Sequence, residues 1–157
     1  MNTEQVIRDY LPEVIHLSLA TVKDDKPWVC EVHFAYDDQL NLYYRSKATR
    51  RHSHEIATNP AVAGNIVKQY KADEAPVGVY FEGTAKLLQA GDEQDGAFEA
   101  IRSRFGDGIQ ILEEAKRSDG HQFYKITVDT YYVFGKFGNE GAHKYELKWD
   151  GGDKRHG

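Results

Sequence analysis

Between Val14 and Arg45 the apolar residues recur at every second position, and this period of two is what most constrains the fold. In the run VIHLSLATV, Ile15, Leu17 and Leu19 share one face. KDDKP then makes a turn, and Trp28, Cys30, Val32 and Phe34 share a face of the next run. Asp37-Asp38 turns the chain again into a third strand, Leu40 to Arg45. Short polar connections between such strands predict an antiparallel meander.

The later chain mixes periods. A fourth strand is expected over Ala61 to Val67, then the loop KQYKADEAP, then a long strand from Val77 to Leu88 with Val79, Phe81 and Ala85 on one face. Gly83 interrupts that strand as a bulge or barrel bend does. Two aromatic strands follow at Phe123 to Val128 and Tyr131 to Phe137. A turn over 138–141 leads to a last strand, His143 to Trp149. Helices are expected over Thr3 to Leu11, capped by Thr3 and ended by Pro12; over Thr49 to Thr58, stopped by Asn59-Pro60; and from Gly91-Asp92 through Phe105. A further helical turn is expected at Ile109 to Ala115. Seven or eight mostly neighbouring strands with inserted helices predict a mainly β chain, a small closed or half-closed antiparallel barrel with helices at its rim. One domain is expected over residues 1–150, with 151–157 a disordered tail.

The 157 residues suffice for one core without staples, and the single cysteine, Cys30, excludes an internal disulfide. The first ten residues are charged rather than apolar, and no run reaches the ~18 apolar residues that span a bilayer. A cytoplasmic protein is expected. A net charge of −5 argues against a protein that coats nucleic acid.

Familiar catalytic signatures are absent. The sequence has no GxGxxG after its first strand, no GxxxxGK[ST], no GxSxG and no HExxH. Cys30 sits on an apolar strand face and reads as a core residue. Glu31 and His33 share the opposite face, which suits solvated residues better than a proton-transfer pair. His52 and His54 are two apart and diverge on a helix, a poor start for a metal site.

Against this acidic background, Arg45, Lys47, Arg50 and Arg51 fall within one short stretch with His52 and His54 and no acid. The stretch runs from a strand end into a helix start. With Thr49 as N-cap, Arg50 and Arg51 occupy the first turn, where the helix dipole disfavours cations by roughly 0.3–1 kcal/mol each. Backbone N–H groups, the hydroxyls of Ser46 and Thr49, and two guanidiniums would cradle a phosphate. The residues alone leave a second reading open, a solvated helix with an accidental basic patch.

The order of these parts, LATVKDDKPWVCEVHFAYDD followed by LNLYYRSKATRRHSHEIATNPAVAGNI, resembles the pyridoxamine 5′-phosphate oxidase-like family of FMN-binding split barrels. The likeness covers Val14 to Leu88. It implies a homodimer with FMN at the subunit interface. It places Arg45, Ser46, Thr49, Arg50 and Arg51 at the FMN phosphate with Tyr44 beside them, and Cys30, Glu31 and Val32 along the flavin ring. Two departures stand out. Members that oxidise pyridoxamine phosphate carry an arginine in the second strand, where this chain has Cys30, and a C-terminal arginine motif that the segment Lys136 to Trp149 lacks. The resemblance therefore implies an FMN-dependent oxidoreductase of another small substrate, with a small-molecule substrate or a nicotinamide donor as its partner. The alternatives are a module that stores or senses FMN or haem without turnover, and a deazaflavin-using reductase.

Overall fold

The structure, a computed structural model, describes residues 2–136 and 142–149. The turn over 138–141 and the 151–157 tail expected above lie outside the described residues. In chain order the elements are α1 (Thr3–Tyr10), a 3-10 turn (Leu11–Glu13), β1 (His16–Lys23), β2 (Lys26–His33), β3 (Ala35–Tyr36), β4 (Leu42–Lys47) and α2 (Arg51–Thr58). They continue with β5 (Ala61–Ile66), β6 (Gly78–Leu87), α3 (Asp92–Phe105), α4 (Gln110–Ala115), β7 (His121–Lys136) and β8 (Ala142–Lys148).

All strand pairs are antiparallel, in the order β2-β1-β5-β6-β7-β4-β3, with β8 also on β7. The two ends of this path, β2 and β3, are joined in sequence by Phe34 alone, so the sheet must curl to bring its edges together. The result is the mainly antiparallel half-barrel that the alternation predicts. None of the described helices is long and apolar enough to cross a membrane.

The meander holds for one hairpin only. β1 and β2 pair along their full length through a turn in which Asp24 and Asp25 both have positive φ, 52° and 60°, the backbone that a two-residue hairpin requires. The third strand does not join β2. It starts at Leu42, pairs with the two-residue β3, and lies along β7. Asp37 decides this locally: its Oδ1 accepts from the backbone N–H of Gln39 and Asn41, and its Oδ2 from the side chains of Asn41 and Tyr43, all at 2.9 Å. Leu40 takes a positive φ of 59° inside that loop.

The two aromatic strands expected at Phe123 to Val128 and Tyr131 to Phe137 are one strand of 16 residues. Its first half pairs with β4 and its second with β8, while β6 runs along the other edge. The β6–β7 register slips between Glu82 and Gly83, with Asp129 as the extra residue. The expected bulge is therefore real, and it bends β7 instead of breaking it. A side chain at Gly83 would place Cβ 2.1 Å from the carbonyl oxygen of Thr127.

Two apolar clusters hold the fold. Leu17 and Leu19 of β1 pack with Ile66, Phe81, Ile126 and Val133 inside the half-barrel. Ala97, Ile101 and Ile111 carry α3 and α4 onto Tyr43 and Phe123 outside it. Ile15 precedes β1 and is exposed, leaving the face predicted for it. The helix caps are also displaced by one residue. Asn2, not Thr3, accepts from Gln5 N–H at the start of α1, and Arg50, not Thr49, caps α2, without a side-chain hydrogen bond.

Candidate functional site

A cleft of about 520 Å³ opens where β2, β4 and the start of α2 meet α3 and the first residue of β7. This is within the usual range for a small-molecule site. Six of the nine residues singled out in the sequence line it: Glu31, Val32, Tyr44, Arg45, Ser46 and Arg50. Cys30, Thr49 and Arg51 are not among its lining residues.

Three consecutive residues of β4, Tyr44, Arg45 and Ser46, line the cleft, and β4 is held there by pairing with β7. Tyr44 stacks on Tyr124 with ring centres 5.1 Å apart, and burial pushes its phenol well above the usual range. Next to it Ser46 Oγ lies 2.7 Å from His52 Nε2. Burial, and then the Arg50 charge, holds the His52 imidazole below the usual histidine range. His52 is thus a neutral partner for the serine. Ser53, next on α2, donates to the Lys47 carbonyl at 2.8 Å and closes the turn between strand and helix.

The arginines divide sharply. Arg45 pairs with Glu114 of α4. Arg51 turns away to Glu55 at 2.7 Å and stacks over Trp28. Arg50 makes no ion pair among the described residues, and the first turn of α2 holds no acid. Arg50 thus lines the cleft without an ion pair among the described residues, while Arg51 is engaged by Glu55 and Trp28. Two buried polar atoms of lining residues, Tyr44 Oη and Arg45 Nε, have no hydrogen-bond partner among the described residues, an uncommon state for buried donors.

The opposite wall was not foreseen. It comes from Ile101 and Phe105 at the end of α3, Asp107 beyond it, and His121. His33 of β2 stacks on Phe105 at 5.9 Å. Glu31 and His33 do not form a pair; Glu31 bonds instead to Ser18 and faces His16 at 3.8 Å. The one sequence signal for this wall is that residues 106–120 fit no regular period, as loops that carry function often do.

Sequence comparison shows the family, and comparison with solved structures shows the fold. The family model described as pyridoxamine 5′-phosphate oxidase matches residues 3–135. A UPF0306 protein of Photorhabdus laumondii is 28% identical over 124 residues, covering 73% of this chain and 86% of its own. HutZ, the haem storage protein of Vibrio cholerae, superposes with a TM-score of 0.71 at 19% identity, over 88% of this chain and 98% of that one. General Stress Protein 26 of Bacillus anthracis does so with a TM-score of 0.65 at 20% identity, over 94% and 99%.

Proposed function

The chain belongs to the pyridoxamine 5′-phosphate oxidase-like family, and from that premise we propose that its cleft binds FMN and that the protein is a flavin-dependent oxidoreductase of a small molecule. The observation that carries this reading is the basic end of the cleft, where unpaired Arg50 and the hydroxyl of Ser46 meet an α2 start without acids. Arg50, Ser46 and the first N–H groups of α2 would hold the phosphate. Glu31, Val32 and Tyr44 would flank the ring, with Ile101 and Phe105 as its apolar wall. Bound FMN supplies hydride acceptance and release, so the protein need only bind, orient and shield. The orphaned Tyr44 Oη and Arg45 Nε fit such a ligand, which offers several acceptors.

We also propose a homodimer. β2 is the edge strand of the path and borders the cleft, and it exposes Trp28 at 40% and Val29 at 59%. A second copy set there would cover this apolar surface and the open side of the flavin. A small substrate or a nicotinamide donor would then enter from the remaining side. Sedimentation showing a flavin-loaded monomer at micromolar concentration overturns the dimer.

The test of the cofactor is titration with FMN and with riboflavin, which lacks the phosphate. FMN should bind far more tightly, at about one per subunit; equal affinity removes the role given to Arg50 and Ser46. A second reading, haem storage or sensing without turnover, is favoured by one observation: His33, His52 and His121 all line the cleft. The visible spectrum of the purified protein separates flavin from haem, and mass spectrometry of the released ligand separates FMN from a deazaflavin. Reduction of bound FMN by a nicotinamide donor without oxygen separates an oxidoreductase from a store.

A further inference from the structure

Glu114 joins three elements through one carboxylate. Its Oε1 accepts from the backbone N–H of His121 at 2.9 Å and lies 2.7 Å from His121 Nδ1, while its Oε2 accepts from Arg45. The His121 backbone N–H first, then its imidazole and Arg45, hold the Glu114 carboxyl at about 2. An ionised carboxylate can only accept, so the proton in the 2.7 Å contact belongs to His121 Nδ1. Neutral His121 is therefore the Nδ1–H tautomer, with Nε2 bare. His121 lines the cleft, and with Nδ1 committed to Glu114, Nε2 is the ring nitrogen left for a ligand.

We propose that His121 is a proton-linked ligand contact of the cleft: Glu114 sets its tautomer, and an anion bound beside Arg45 draws one proton onto Nε2. The inference rests on the reading that the cleft takes a phosphate-bearing ligand. With His121 neutral, Arg45 and Glu114 cancel, and the cluster offers an anion no net charge. One proton on Nε2 makes the cluster singly positive, facing the same cleft as Arg50. The proton joins the imidazole from solvent, and no other bond changes.

Charged groups face His121 from each element packed around it. Across the sheet it pairs with Lys47 of β4, which adds positive charge at that end. Asp107, from the loop after α3, is the opposing acid in the lining. In the turn before β7, Arg117 and Asp119 pair with each other at 3.3 Å. His52, beside Arg50, is kept neutral by burial and shares its Nε2 with Ser46. His33, on the same face of β2 as Glu31, lies against Phe105 in the lining of the same cleft, so its variant serves as the control.

The test is calorimetric titration of the full chain with FMN and with inorganic pyrophosphate, each in two buffers of different ionisation enthalpy, which counts protons taken up. The wild type should take up a fraction of a proton with either probe, and its affinity should fall with rising pH, by up to about tenfold per unit for one linked proton. His121→Gln should lose that uptake and flatten the profile; His33→Gln should keep both. Nitrogen NMR of the unliganded wild type should show neutral His121 protonated at Nδ1, a preference that weakens in Glu114→Gln. FMN binding with uptake unchanged in His121→Gln, or an Nε2–H tautomer in the wild type, overturns this proposal and leaves the cofactor reading standing. Pyrophosphate binding with a His121-dependent proton, while FMN fails, overturns the cofactor reading and keeps this one. Failure of both probes overturns both.

Discussion

Arg51 Nε donates to Glu55 Oε2 at 2.7 Å, one helical turn further along α2. That bond, with the Trp28 ring 4.2 Å beneath the guanidinium, directs Arg51 onto the outer surface of the barrel. Glu55 is buried and also accepts from Thr21 Oγ1 at 2.9 Å. Two adjacent arginines thus have separate surroundings, Arg50 in the lining of the cleft and Arg51 between Glu55 and Trp28.

Arg50→Glu should weaken FMN by roughly 2–4 kcal/mol, because it removes a charge-assisted bond and adds repulsion to the phosphate. A helix-start glutamate agrees with the dipole, so the melting temperature should hardly change. Arg51→Ala should do the reverse, lowering the melting temperature with a much smaller effect on FMN. Fluorescence titration and thermal melts of both variants check this; loss of FMN in Arg51→Ala at unchanged stability contradicts it.

Glu114 should give the fold part of its acid sensitivity. Its carboxyl lies at about 2 when folded, below its ordinary value of 4.5. A depressed folded value contributes stability that is complete above the unfolded value and is lost as pH falls toward the folded one. Stability should therefore decline from about pH 5 downward, and Glu114→Gln should decline less steeply while starting lower. Urea unfolding between about pH 6 and about pH 3 reads the difference.

Ser46→Ala should cost stability as well as affinity. It leaves buried His52 Nε2 without its partner at 2.7 Å, a loss of about 1–3 kcal/mol for an unsatisfied buried group. Chemical denaturation measures the first effect and FMN titration the second. No change in either means that the contact is incidental.

Gly83→Ala should be among the most damaging single substitutions in the sheet. Its Cβ would sit 2.1 Å from the Thr127 carbonyl oxygen, and the neighbour is backbone that cannot swing away. Overpacking of this kind costs about 1–3 kcal/mol or more, read as a fall in the denaturation midpoint.

The FMN-loaded protein should not oxidise pyridoxamine phosphate. Among the described residues near the C-terminus, Lys148 pairs with Glu146 at 2.9 Å and Lys144 lies 5.3 Å over the Tyr132 ring. Neither replaces the arginine motif that the substrate phosphate calls for, and Cys30 stands where the second-strand arginine is expected. Supplying the substrate and oxygen and measuring pyridoxal phosphate and peroxide tests this. Steady turnover means that the phosphate is placed by another route.

The alternation from Leu17 to Phe34, the β1–β2 turn, the bulge at Gly83 and the helix around Ala97 and Ile101 could all be read from the sequence, because each follows from neighbours a few residues apart. So could the basic turn and its residues Tyr44, Arg45, Ser46 and Arg50, since charge and turn chemistry are local. Tertiary structure decided the rest. Arg45 meets Glu114 across 69 positions, and no periodicity pairs a strand residue with one carboxylate among many that distant. β4 leaves β2 for β7 because edge matching is settled only when the sheet curls. Arg50 lines the cleft and Arg51 meets the Trp28 ring because the helix starts one residue later than the hydroxyl of Thr49 suggests, leaving Arg50 on extended backbone and Arg51 on the helix, where it reaches Glu55 four residues on.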